Sequence, residues 1–274
     1  MIDLHLHTTA SDGRCSPQEL VERAAAAGVT TMGVTDHDTV AAIKAASDAG
    51  RARGIEVVPG IEITAVDGGR DVHVLGYFID PVDAQLSQFL SRQRRQRIAR
   101  VKAIAERLAE LGMPVDILPL LARALEESGH SIGRPQIARA LVAAGYVTDT
   151  REAFEHWLAA GRPAFVPRAG TAPDEVIGII HAAGGVASLA HPGQTGVDAR
   201  ISAYTESGLD ALEVFHPDHD KPSIDRYRDV AARLSLFVTG GSDFHGDPSH
   251  GWEPGAVSLP NDEWVRLRDA ASRG

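Results

Sequence analysis

Nine residues able to ligate a metal recur in short groups from one end of the chain to the other. They are His5, His7 and Asp12 in HLHTTASD, His37 in TDHD, Glu62 and His73, His191 in AHP, and Asp243 with His245 in SDFH. Imidazoles and carboxylates together suit borderline to hard divalent cations such as Zn²⁺, Mn²⁺ and Fe²⁺. Nine ligands exceed one tetrahedral site, and so acid-rich a set points to two or three metals sharing bridging carboxylates. Metals roughly 3.5–4 Å apart can clamp a phosphate, acidify a water and stabilise a leaving oxygen. No GxSxG elbow is present, and Cys15 lies in a loop-to-helix turn without an evident histidine partner. A metal-activated water is therefore the better candidate nucleophile than a side chain.

Each group also has a plainer reading. A His-x-His at a strand end is weak evidence alone, and His37 between two aspartates suits a hydrogen-bonded loop. Glu62 within VVPGIEIT resists such a reading, because a buried carboxylate needs a partner or a cation. His191 and the Asp243/His245 pair likewise follow directly on apolar strands. His130, His156, His181 and His250 lie in helical or loop contexts and suit surface or capping roles.

The elements that must position these groups follow from the hydrophobic pattern. Residues 2–6 read as a first strand, which projects His5 and His7 to the same side. Ser16-Pro17-Gln18-Glu19 is a capping box with proline at the first helical position, and Gly28 closes that helix. Strands are expected at 31–35, 56–58 with 61–64, and 71–79, with a helix through 41–53. This alternation predicts βαβ units and a parallel sheet or barrel. From about 82 to 162 the pattern is helical throughout, with segments at 83–111, 115–128, 134–144 and 151–160. It predicts a helical insertion resting over the barrel mouth, with residues 1–81 and 163–274 forming the barrel. The stretch SRQRRQRIARVK within it is read as a solvated helix face. The βα rhythm then resumes with a helix at 173–184, strands at 186–190, 210–215 and 236–239, and a helix near 222–234. A closing strand at 256–259 and a short terminal helix complete the chain.

The bulk numbers agree with a globular enzyme. At 274 residues the chain can bury a sizeable core, and 43% hydrophobic with 23% charged residues is ordinary for a soluble domain. A net charge of −10 argues against duplex DNA binding through bulk positive charge. One cysteine excludes an internal disulfide framework and suits a reducing compartment. No signal-like leader and no run of 18 apolar residues occur, so a cytoplasmic location without membrane insertion is expected.

Taken in order, HLHTTASDG, GVTDHDT, PGIEIT, DVHVLGY, SLAHPG and GGSDFHG resemble the motifs of the PHP (polymerase and histidinol phosphatase) family of metal-dependent phosphoesterases. The resemblance runs over the whole chain and implies an α/β fold, a distorted (β/α)7 barrel with metals at the C-terminal strand ends. Carried over motif by motif, it implies three metals. His5, His7, Glu62 and Asp243 would hold one. Glu62 would bridge to a second, held by His73 and His191, and Asp12, His37 and His245 would hold the third. Manganese is the metal implied, with iron or zinc as alternatives. A bridging hydroxide would attack phosphorus in line, with Asp243, His191 and His216 as the catalytic residues.

SIGRPQIARALV, AFEHWLAAGRPAFVPR and LEVFHPDH further resemble the branch that contains 3′,5′-nucleoside bisphosphate phosphatase and related 5′→3′ exoribonucleases. That branch implies removal of the 3′-phosphate from nucleoside 3′,5′-bisphosphates, extending to the ends of short oligoribonucleotides. Arg134, Arg162, Arg168 and His216 are then the expected substrate contacts, and each arginine has a surface salt bridge as its alternative. Gln136 stands where this branch often carries histidine, which leaves its role open. The competing readings are a histidinol-phosphate phosphatase, a non-catalytic metal- or nucleotide-binding regulator, and a C–N bond hydrolase. The helical segment argues against the first, the intact ligand set against the second, and the lack of a carbamylated-lysine pattern against the third.

Overall fold

The computed structural model describes residues 1–125, 129–247 and 252–272. His250 and residues 126–128 of the expected helix 115–128 lie outside them. The first half of the chain runs β1 (Ile2–Asp3), α1 (Pro17–Ala26), β2 (Thr31–Val34), α2 (Ile43–Arg53), β3 (Glu56–Asp67) and β4 (Arg70–Tyr77). Helices α3 (Ala84–Glu110), α4 (Leu118–Leu125), α5 (Arg134–Ala143) and α6 (Thr150–Ala153) follow, the last continuing into a π-helical turn over Phe154–Leu158. Then come α7 (Pro173–Ala182), β5 (Val186–Leu189), α8 (Pro192–Thr195), α9 (Ile201–Glu206), β6 (Ala211–Phe215), α10 (Lys221–Leu234), β7 (Phe237–Gly240) and α11 (Asn261–Ala271).

The seven strands lie in sequence order and form a nearly closed barrel with helices around it. Leu4 N donates to Gly240 O at 3.2 Å, and Leu6 bridges Phe244, which brings β1 against the end of β7. The expected all-parallel arrangement needs correction, because β4 runs antiparallel to both β3 and β5. The physical reason is the turn Asp67-Gly68-Gly69-Arg70. Gly68 and Gly69 have φ of 57° and 81°, the paired left-handed conformation of a two-residue hairpin, so β3 returns directly as β4 with no helix between.

The expected pair of strand fragments at 56–58 and 61–64 is one strand, β3. It pairs with β2 as far as Pro59 and with β4 from Gly60 onward. Gly60 is needed there, since a Cβ would meet Thr35 Cγ2 at 2.9 Å and Val34 O at 3.1 Å. The expected closing strand at 256–259 is not a strand. Leu259 N donates to Ile2 O, and Ser258 Oγ accepts from Ile2 N, which ties an irregular segment beside β1.

The capping box at Ser16/Glu19 is present, and Asp83 caps α3 through Leu86 N. One buried cluster fills and surrounds the barrel, with Leu4, Ile61, Ile63, Leu75 and Tyr77 fully enclosed. A separate cluster, including Val101, Leu108, Ile137 and Leu141, forms among the helices between 101 and 164. Helix α3 joins the two. Its buried stripe is apolar at Leu86, Phe89 and Leu90, polar at Gln93 and Arg97, and apolar again at Val101, Ile104 and Leu108. The arginine-rich stretch is therefore not wholly a solvated face: Arg97 is buried and ion-paired with Asp38. Among the described residues no helix is long and apolar enough to cross a membrane.

Candidate metal centre

Strand ends, the loops that follow them and the middle of the β3–β4 hairpin bring all nine candidate ligands together. His5 and His7 flank Leu6, whose bridge to Phe244 sets both rings inward. Glu62 and His73 come from the hairpin β3–β4, and five imidazoles approach the Glu62 carboxylate closely. Its Oε1 is 2.8 Å from His73 Nδ1 and 3.1 Å from His191 Nε2. Its Oε2 is 3.1 Å from His37 Nδ1 and 3.3 Å from the Nε2 atoms of both His5 and His7. Asp243 Oδ1 faces the same two nitrogens at 3.3 and 3.2 Å. Asp12 lies across from His245, His37 and His7, at 3.4, 3.6 and 3.8 Å.

Among the described residues, three overlapping sets of ligand atoms gather within 4.8 Å: His5/His7/Glu62/Asp243, His7/Asp12/His37/His245, and His37/Glu62/His73. His191 adjoins the last through Glu62. The donor set fits divalent metals on a structural ground. His7 Nδ1 and Nε2, His37 Nδ1 and His73 Nδ1 are buried without a hydrogen-bond partner although carboxylate oxygens lie 2.8–3.8 Å away. Atoms that approach closely without hydrogen-bond alignment are converging on a common point, as ligands do around a cation.

The electrostatics carry the same signature. Burial works against ionisation of Glu62 and Asp243, yet the surrounding imidazoles hold both carboxyls well below the usual range. Burial also lowers His7, but the adjacent Asp243 and Glu62 outweigh it and raise the ring to about 10. His37 goes the other way, pulled by burial down to about 3. Three non-glycine residues here hold left-handed backbone: Asp38 at φ 51°, His191 at 26° and Asp243 at 49°. Such strain persists only where the surrounding structure over-determines it.

The supports are residues that the sequence reading did not single out. Asp36 accepts from Thr8 N, Thr8 Oγ1 and Ser11 Oγ at 2.6–2.7 Å and so fixes the loop bearing Asp12. Asp3 accepts from His5 N, Ser242 N, Ser242 Oγ and Gly255 N, tying β1 to the loop of Asp243. Asp38 takes Arg97 and Thr64 N. Glu213, fully buried on β6, faces His5. Their shared signal was a carboxylate inside or beside an apolar run, the same feature that marked Glu62.

Of the expected substrate contacts, Arg134 and Arg168 lie beside the centre. Arg134 Nη2 is 2.9 Å from Asp71 Oδ2, and Arg168 is 3.6 Å from both Asp71 and Asp38. Arg97 and Arg100 share the same two carboxylates. Burial first, and then the proximity of Arg97, pulls Arg168 down to about 9. His216 lines a cavity of about 650 Å³ beside Asp12, Asp243 and His245, with Arg139, Phe154 and Trp252 on its other walls. Arg162 is exposed, and no described contact brings it to the cluster. Gln136 proves to be a tether: its Nε2 donates to Ser11 O and its Oε1 accepts from Gly133 N. His181 makes a surface pair with Asp210 at 2.7 Å.

The model of the PHP domain matches residues 3–133. The 5′-3′ exoribonuclease Rnm of Salmonella typhimurium is 35% identical over 250 residues, covering 89% of this chain and 84% of that protein. The chain belongs to the PHP family. The 3′,5′-nucleoside bisphosphate phosphatase of Chromobacterium violaceum is 31% identical over 261 residues, covering 93% of this chain and 90% of that one. Among solved structures, a Bifidobacterium adolescentis protein assigned as a metal-dependent phosphoesterase superposes with a TM-score of 0.88 at 35% identity, covering 97% of this chain and 94% of the other. This PHP protein is accordingly a metal-dependent phosphoric ester hydrolase.

Proposed function

We propose that the protein removes the 3′-phosphate from nucleoside 3′,5′-bisphosphates, leaving the nucleoside 5′-monophosphate, and that the ends of short oligoribonucleotides are secondary substrates. The observation that carries this reading is the arginine group. Among the described residues, Arg97, Arg100, Arg134 and Arg168 find carboxylate partners in Asp38 and Asp71 alone, an excess of positive charge beside His37 and His73. A second phosphate on the substrate would supply the missing anion, held by the forks of Arg134 and Arg168. The Chromobacterium relative, named for this substrate class, supports the same choice.

His5, His7, Glu62 and Asp243 would hold one metal, Glu62, His73 and His191 a second, and Asp12, His37 and His245 a third, with Mn²⁺ the preferred ion. Bound there, the cations would supply positive charge to the phosphoryl oxygens and an acidified water to attack phosphorus. The water oxygen would bond to phosphorus as the bond to the 3′-oxygen breaks, and the proton that the water gives up balances the one that oxygen takes. His216 is suited to hydrogen-bond that oxygen as it leaves. Its Nδ1 accepts from Asp218 N at 3.1 Å, which leaves Nε2–H directed toward Asp243 Oδ2 at 3.4 Å, on the cavity wall. The helical segment 82–162 is read as the cover of this mouth, since Ser131 N, Gln136 Nε2 and Arg139 Nη1 all donate to carbonyls of the loop 10–12.

The test is phosphate release from adenosine 3′,5′-bisphosphate by the Mn²⁺-loaded protein, with histidinol phosphate and short 5′-phosphorylated RNAs alongside. Turnover of the bisphosphate to the 5′-monophosphate is expected. An inert bisphosphate beside rapid cleavage of histidinol phosphate would replace this reading.

A further inference from the structure

Glu213 belongs to none of the three metal sites proposed above, yet it touches residues of two of them, His5 and His191. Its Oε1 lies 2.9 Å from His5 Nδ1, and its Oε2 accepts the backbone N–H of His191 at 2.7 Å. Both partners are donors. The His191 amide is one by nature, and His5 Nδ1 carries the hydrogen whenever Nε2 is kept free toward Glu62 and Asp243. A carboxylate meets two donors at once. An amide offers one acceptor oxygen and turns its NH₂ against the other donor. The next residue along β6 extends the grip. Val214 O lies 2.9 Å from His219 Nδ1, and His219 Nε2 accepts Gly193 N–H at 3.2 Å, just beyond the strained backbone of His191.

The geometry points to Glu213 as the positioning residue that orients the His5 ring and the His191 backbone together, so that one side chain outside the ligand sets tunes metal affinity in two of them. This inference rests on the reading of the cluster as a multimetal centre. A carboxylate behind a ligating imidazole fixes its tautomer and raises its basicity, and loss of such a partner typically weakens metal binding about 10–100-fold.

Equilibrium titration of the chelator-treated protein with Mn²⁺, followed by electron paramagnetic resonance of the free ion, compares the unsubstituted chain with Glu213→Gln. A folded Glu213→Gln protein should bind Mn²⁺ about 10–100-fold more weakly in at least one site. Affinities within about twofold of the parent, well inside that range, would overturn the assignment while leaving the metal reading intact. Absence of Mn²⁺ binding by the parent chain would instead remove both. Should Glu213→Gln fail to fold, long-range ¹H–¹⁵N correlation on the Zn²⁺-loaded parent decides: His5 protonated at Nδ1 supports the role, and His5 protonated at Nε2 excludes it.

Discussion

At the scale of single residues, Glu62 organises the site: one buried carboxylate draws five imidazoles within 3.3 Å. Unpaired, such a group would be costly, so the chain keeps it ionised by surrounding it with rings that also suit a cation. The proton balance gives a prediction. His7, held at about 10 without metal, is protonated at neutral pH, whereas His37, at about 3, is already neutral. Ligation at His7 must displace a proton, so apparent Mn²⁺ affinity should rise with pH below 10, about tenfold per pH unit for that proton. Isothermal titration in buffers of different ionisation enthalpy measures the released protons; a binding heat independent of buffer would contradict the linkage. Asp243→Asn, which keeps the shape and removes the charge, should lower turnover by more than the ~10–100-fold that loss of an outer partner costs. Unchanged turnover in that variant would make the metals merely structural. Arg168→Ala should raise KM for a bisphosphate by about 10–100-fold, the equivalent of ~1.5–3 kcal/mol for a charged hydrogen bond. Substrates with a single phosphate should lose much less, and equal losses on both would argue against the arginine group as a second phosphate site.

At the scale of elements, the site depends on where β3 changes partner. Pro59 lacks an N–H, and it stands at the last residue of the β2 pairing, while Gly60 opens the β4 pairing. Glu62 follows two residues later, so the register of this switch decides whether its carboxylate points into the mouth. Gly60→Ala would push a methyl against Thr35 and Val34 O and should destabilise the fold by ~1–3 kcal/mol, measured by chemical denaturation. A loss well under that range would mean that β2 and β4 part easily and that Glu62 is positioned by other contacts. Helix α3 plays the complementary part, since its polar middle meets Asp38 and Thr64 at the barrel while its two ends join separate apolar clusters.

At the scale of the whole molecule, four carboxylates or more crowd one mouth in a chain already carrying −10. Divalent cations relieve that repulsion and bind only the folded arrangement, so they should stabilise it. Linkage gives ~2.7 kcal/mol at a free metal concentration 100 times the dissociation constant. Melting temperature should therefore climb with added Mn²⁺ and fall on chelation, together with activity. A melting temperature indifferent to both would count against a metal centre assembled by folding.

The residue types and their motif order determined the candidate ligands, the family and the barrel class, because metal chemistry constrains side-chain identity and strand pattern constrains spacing. The nine candidates were legible one group at a time for that reason. Tertiary structure decided the rest. The antiparallel β4 followed from a two-glycine hairpin whose effect depends on which strands it joins. The inward turn of Arg97 depends on Asp38, 59 residues away in sequence. Arg134 and Arg168 reached the centre while Arg162 stayed exposed, since a guanidinium's burial is settled by which carboxylates the fold brings to it. Glu213 is the clearest case: its residue type and its apolar strand marked it as costly to bury, and only the contact with His5, 208 residues away, gave that cost a purpose.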